Sequence, residues 1–127
     1  FVSSVLSKLE KGEKAEVCAD WCNCPTYVHD LAAAAVKLVE KDARGTYHAV
    51  GADYLNRYEW ALKIADVFGM DRSLVMPIQS SILNLPAKRP NVRLSNSRLV
   101  KDSGIGMKGV DAGLEAMKMH GSRNAPS

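Results

Sequence analysis

The sequence has little of what would mark a membrane, nucleic-acid or secreted protein. No run approaches the roughly 18 apolar residues that a membrane-spanning helix needs. The most apolar stretch, Leu31 to Val39, is short and interrupted by Lys37. No membrane partner is therefore expected. The charge excess of a general nucleic-acid binder is also missing, because 17 basic residues face 14 acidic ones for a net +3. Cysteine is scarce, and its odd count of 3 cannot complete a disulfide framework. A reducing, cytoplasmic setting is the expectation. There is no initiator Met and no basic, apolar, small-residue signal at Phe1, which leads us to expect a chain processed or cut from something longer. No internal repeat is visible. What is present is ordinary globular material: 127 residues, 46% hydrophobic and 24% charged, enough for one domain and unlike a disordered or fibrous chain.

The charge is unevenly placed. Residues 1–71 hold 8 basic and 11 acidic side chains, whereas residues 72–127 hold 9 and 3, so the halves carry −3 and +6. A diphosphate could use such a half, and a solvated basic face is the plainer explanation. Cys18, Cys22, Cys24 and His29 superficially offer zinc ligands, but C-x3-C-x-C lacks the tight C-x2-C turn of a zinc knuckle. Three small side chains in a partly buried loop is the reading adopted, with no metal.

Val2, Val5, Leu6 and Leu9 recur at helical spacing and predict a first helix ended by Gly12. Ala15 to Cys18 predicts a strand, then a loop through Asp20, Trp21, Asn23 and Pro25. Thr26 to Val28 is expected to be extended, with Asp30 as N-cap of a second helix that carries Leu31, Ala35, Leu38 and Val39. Its Ala32 to Ala35 face is unusually small. Gly45 to Gly51, G-T-Y-H-A-V-G, reads as a short buried strand with Tyr47 and His48 on opposite faces. Asn56 and Glu59 form a capping-box pattern ahead of Ala61, Ile64, Ala65 and Phe68, and Gly69 stops that helix. Leu74 to Ile78 predicts a strand interrupted by Pro77, followed by a loop with room for a short helix up to Pro86 and Pro90. Ser95 or Asn96 is expected to cap a helix through Lys101, and Asp111 another through Leu114 and Met117. Residues 1–120 then form the domain, and 121–127 a mobile polar tail.

Gly104-Ile105-Gly106-Met107-Lys108-Gly109 satisfies G-x-G-x-x-G. A dinucleotide fold needs a buried strand before that turn and an acidic ribose ligand about 20 residues after it, and neither can be placed. A flexible glycine turn is the expectation. There is no Y-x-x-x-K pair, and no serine or cysteine comes with an identifiable base. No catalytic and no cofactor-binding residue is assigned within the chain.

Several phrases occur in a telling order: Asp20-Trp21-Cys22-Asn23-Cys24-Pro25-Thr26-Tyr27-Val28-His29-Asp30-Leu31-Ala32, then Gly45-Thr46-Tyr47-His48, Arg57-Tyr58-Glu59-Trp60-Ala61, Phe68-Gly69 and Arg89-Pro90. Together they resemble the C-terminal part of dTDP-4-dehydrorhamnose reductases, which are extended short-chain dehydrogenases/reductases. The resemblance runs from Phe1 to about Leu114. It departs from the family at Cys22 and Cys24. It implies an α/β class, α+β as an isolated piece: the C-terminal substrate-binding portion of a Rossmann-type enzyme, mainly helices with a few short strands. It further implies that the Gly-rich turn, the NAD(P)H and the Tyr/Lys pair belong to a missing N-terminal half. The Gly45 to Gly51 strand would then belong to the parent's parallel sheet.

On that basis the basic half acquires a use. Lys88, Arg89, Arg93, Arg98 and Lys101 place five cations in 14 residues without an acid, and guanidinium forks suit the diphosphate of a nucleotide sugar. Arg89, held extended by Pro90, is the first candidate ligand, then Arg93. Trp21, Asn23 and Thr26 are candidates for the sugar or base. Arg98 and Lys101 are expected on a helix surface, and Arg57 and Tyr58 are expected to fix their helix against its neighbours. The functional expectation is the substrate-binding portion of a nucleotide-sugar reductase of dTDP-rhamnose biosynthesis, inactive alone. The alternative is a non-catalytic regulatory or binding protein on the same scaffold, like the regulatory subunit of methionine adenosyltransferase. A third reading is an interaction domain that self-associates as a homodimer through a sheet edge or apolar helix stripe.

Overall fold

The computed structural model describes residues 1–124. Helix α1 (Val2–Glu10) turns its Val5 and Leu9 stripe inward, and Gly12, at φ 71°, takes the left-handed step that redirects the chain into β1 (Ala15–Cys18). β2 (Cys22–Asn23) follows, then α2 (Val28–Glu40), β3 (Leu55–Asn56), α3 (Arg57–Phe68), β4 (Val75–Ile78), α4 (Ser97–Ser103) and α5 (Val110–Asn124). β1 and β4 pair in parallel, Ala15 opposite Val75 and Cys18 opposite Ile78. Parallel neighbours need a crossover, and the long excursion through α2 and α3 supplies it. Pro77 is tolerated because β4 has a neighbour on one side only. β2 and β3 form a separate antiparallel pair, Cys22 opposite Asn56.

The main core lies between α1, β1, α3 and α5: Val5, Leu9, Val17, Ile64, Ala65 and Leu114 are all buried there. α3 is built as its sequence states. Asn56 accepts from the Glu59 amide at 2.8 Å, Glu59 accepts from the Asn56 amide at 3.0 Å, and Gly69 closes the helix at φ 68°. A smaller cluster of Ala34, Leu99 and Met107 joins α2 to α4. α2 turns the other way at Val28, Val36 and Val39, which are 64%, 56% and 81% exposed.

Four expectations are corrected. Gly45 to Gly51 is not a strand. Side chains of the α4 region take carbonyls here instead of a ladder: Arg98 donates to that of Thr46 and to that of the preceding Arg44, and Asn96 to that of Val50. Tyr47 nonetheless turns inward to donate to Asp102 at 2.7 Å while His48 is exposed. Asp30 does not cap α2, whose N-cap is Tyr27 three residues earlier, so that Val28, expected to be extended, is already helical. It is buried in the first turn, where it accepts from the Lys108 amide at 2.8 Å and from the Lys108 ammonium at 2.7 Å. Asp111 does not cap α5 either. The Val110 amide is taken by Asp53 at 2.7 Å, and Asp111 pairs with Lys63 on the surface. The loop after Asp20 contains a two-residue strand, β2. At the C-terminal end α5 continues to Asn124, into the segment expected to be a polar tail, and 125–127 lie outside the described residues.

Candidate functional site

Where β1 ends, Asp20 turns the chain back and fixes the next segment to the residues after β4. Its carboxylate accepts from the Ser80 amide at 2.9 Å and from the Ser80 hydroxyl at 2.6 Å. The Ser80 hydroxyl bond holds the Asp20 carboxyl below its ordinary range, outweighing the desolvation that opposes it. A cleft of about 520 Å³ opens beside this link, bordered by Trp21, Asn84, Lys88 and Arg89. Two guanidiniums lie on the Trp21 indole, Arg89 at 5.0 Å from its centroid and Arg57 at 5.1 Å. Arg57 also reaches the Phe1 ring at 5.3 Å. The structure thus brings Trp21 and Arg89 together, along with Arg57, which had been given a purely structural part.

The other candidates sit elsewhere. Arg93 lies over the Tyr54 ring at 5.5 Å, beside β3. Burial, and next the Cys22 thiol, raise the Tyr54 phenol above its ordinary value. Asn23 is half-buried in β2, and its Oδ1 has no hydrogen-bond partner. Thr26 braces the backbone, accepting from the Gly51 amide and donating to the Cys24 carbonyl, both at 3.2 Å. It faces a second, more apolar cavity of about 390 Å³ near Phe1, Tyr27, Trp60 and Leu114. Arg98 is spent on backbone carbonyls and on the Tyr47 ring, 4.6 Å away. Sequence reasoning missed Ser80 and Asn91. Asn91 donates to the Asp20 carbonyl at 3.1 Å and accepts from the Cys22 amide at 2.8 Å. Both partnerships span 60 or more positions, so no local pattern announces them.

The glycine motif does not fit a dinucleotide. The Lys108 and Val110 amides, which would face a pyrophosphate, are already taken by the Asp30 and Asp53 carboxylates. A Cβ at Gly109 would collide with Asp53, so this glycine serves packing. Among the described residues no group of three or more His, Cys, Asp or Glu side chains could hold a metal ion. No described helix is long and apolar enough to cross a membrane. Burial, ahead of the nearby Asp20 charge, raises the Cys18 thiol above its ordinary value, which keeps it protonated.

A helix-rich α/β unit of this shape, with a basic cleft beyond the end of a short parallel strand pair, is the C-terminal portion of an extended short-chain dehydrogenase/reductase. The chain belongs to the RmlD substrate binding domain family, whose model matches residues 1–120. It is 38% identical over 90 residues to methionine adenosyltransferase 2 subunit beta of Bos taurus, covering 66% of this chain and 26% of that protein. It is 31% identical over 97 residues to the dTDP-4-dehydrorhamnose reductase of Mycobacterium tuberculosis, 75% of this chain and 32% of that enzyme. Among solved structures, the dTDP-4-dehydrorhamnose reductase of Bacillus anthracis in complex with NADP superposes with a TM-score of 0.85 at 27% identity, covering 94% of this chain and 43% of that one. The chain therefore spans about a quarter to a third of the length of these curated relatives.

Proposed function

We propose that this chain is the nucleotide-sugar-binding portion of a dTDP-4-dehydrorhamnose reductase-like enzyme of dTDP-rhamnose biosynthesis, acting in the cytoplasm. The observation that carries the reading is the cleft at Trp21 and Arg89. There an indole face, two adjacent guanidiniums and Lys88 offer a base-stacking surface beside a diphosphate-sized density of positive charge. Chemistry on the sugar ketone falls to the parent's preceding part, which would hold the NAD(P)H. The exposed valines of α2 fit that part as a docking partner, and the parent is read as a homodimer. In this division Trp21 and Arg89 bind and orient the nucleotide end while the reactive end projects toward the rest of the parent.

Calorimetric titration with dTDP and with UDP tests the reading. Saturable binding of dTDP is expected, and Arg89→Ala should weaken it by about 1.5–3 kcal/mol, the scale of a hydrogen bond to a charged group. Unchanged affinity in that variant removes Arg89 from the site. A second reading has an observation of its own, the 38% identity to a methionine adenosyltransferase subunit against 31% to a reductase. In it the same scaffold serves as a non-catalytic regulatory portion. Loss of the Tyr/Lys pair from the parent favours that reading, and an intact pair favours the reductase.

A further inference from the structure

The arm that carries Arg89 has little to hold it. After the 3-10 turn at Ser80–Leu83, the chain forms no helix or strand until α4, and every residue from 81 to 95 is exposed. A free segment of this kind samples many backbone states, and fixing each residue costs conformational entropy. Something must register Arg89 on the indole. Ser80 anchors the arm's beginning to the Asp20 carboxylate. Asn91, two positions beyond Arg89, anchors the far side, and it uses both ends of its amide. Its oxygen accepts from the Cys22 amide and its nitrogen donates to the Asp20 carbonyl, so the two bonds straddle Trp21. An amide is suited to this, because it is one side chain that donates and accepts in a single plane.

We propose that Asn91 is a positioning residue of the nucleotide cleft. It clasps the Trp21 loop so that Arg89 covers the indole in the empty protein, and a ligand diphosphate then draws Arg89 off the ring and frees that face for the base. This inference rests on the nucleotide reading given above. The direction of exchange follows from the strengths involved: a guanidinium on an exposed ring is weakly held, whereas charge-assisted bonds to phosphate are roughly twice as strong as neutral hydrogen bonds. Arg89 is in this account a placeholder for the base as well as the ligand of the phosphate.

Trp21 fluorescence reads the exchange directly. Trp60→Phe leaves Trp21 as the sole indole, since the chain has two and Trp60 lies outside the cleft. In that background, inorganic pyrophosphate and dTDP should each change Trp21 emission saturably. Asn91→Ala should give the ligand-free emission of Arg89→Ala and weaken dTDP binding about tenfold. Asn91→Asp keeps the acceptor for the Cys22 amide, loses the donor to Asp20 and should fall between. Parental emission and parental affinity in Asn91→Ala overturn the proposal. Should that variant fail to fold, Asn91→Asp decides by the same two readouts. If neither probe alters Trp21 emission in the parent background, while Asn91→Ala still acquires the Arg89→Ala spectrum, the nucleotide reading and the exchange fail and only the clasp stands.

Discussion

Replacing Asp30 by serine separates two accounts of why an acid stands at the start of α2. As a helix N-cap, aspartate and serine are near equals, and the exchange would be almost neutral. In the structure Asp30 is a tertiary ligand. Its side chain is 8% exposed and accepts from the Lys108 amide and ammonium, 78 positions away. A serine hydroxyl is too short to reach either group. The Lys108 amide would lose its partner, at about 1–3 kcal/mol. The Lys108 side chain is 41% exposed, so water screens and replaces its half of the ion pair, and that loss adds about 0.2–1 kcal/mol. The expected destabilisation is about 1–4 kcal/mol. At a urea slope of about 2 kcal/mol/M the unfolding midpoint falls by about 0.5–2 M. Asp30→Asn retains an acceptor for the amide and should lose only the ion-pair share, about 0.2–1 kcal/mol. The assay is urea unfolding followed by far-UV circular dichroism, with the slope unchanged between variants. A serine variant within about 0.5 kcal/mol of the parent would refute the reasoning, because the burial and both bonds would then contribute nothing.

The glycines make a ranked set. Gly51→Ala drives a Cβ into the Pro25 and Lys108 backbone carbonyls and should lower the melting temperature most. Gly104→Ala meets open space at φ 73° and should cost about 1 kcal/mol in conformational strain. Gly106→Ala meets open space without a positive φ, and differential scanning calorimetry should find it within about 0.5 kcal/mol of the parent. A dinucleotide turn would instead need all three motif glycines. Asp20 titrates below its ordinary value because of the Ser80 hydroxyl bond. Its contribution is therefore full above the unfolded carboxylate pKa of about 4 and is lost as pH falls through the folded value. The Ser80 amide resonance followed against pH should show that low midpoint, and a Ser80→Ala variant should move the Asp20 titration, read on its own carboxyl carbon, upward. Tyr47 is raised, chiefly by its bond to Asp102. Its contribution is full below about pH 10 and is lost as pH rises through the folded value. Tyr47→Phe should remove one late-titrating phenol from the ultraviolet titration.

What could be read from the residues, and what could not, divides by the range of the interaction. α3 was legible from end to end because its start and stop are local: Asn56 and Glu59 satisfy each other three residues apart, and Gly69 needs only its own φ. β1 was legible from its own short Ala15–Cys18 segment, in which exposed Glu16 alternates with buried neighbours, while its partner β4 lies 60 positions on. Gly45 to Gly51 has the composition of a strand, yet composition supplies no neighbour, and in its place Arg98 and Asn96 take the carbonyls. Asp30 and Asp111 have the chemistry of a cap, yet both lie inside the first turn of their helices, and the bond that matters to each comes from another element. The cleft follows the same rule. Trp21 and Arg89 were chosen for their chemistry, indole and guanidinium, and the structure sets them against each other. Asn23, Thr26 and Arg93 were chosen on the same grounds, and the fold directs them to the β2–β3 pair, a backbone brace and the Tyr54 ring. Residue type identifies which side chains can meet a nucleotide. Which of them share a cleft is decided by long-range bonds such as Asp20 to Ser80 and Asn91 to Cys22, which bring the arm to the loop. The positive charge of the second half therefore does not act as a single patch. Arg98, on the helix surface, stitches the 44–46 segment through its carbonyls, Arg93 is parked on Tyr54, and Lys88 and Arg89 alone of that cluster border the cleft. The first half contributes the third cation, Arg57, so the site's charge is assembled across the very boundary at which the sequence changes sign.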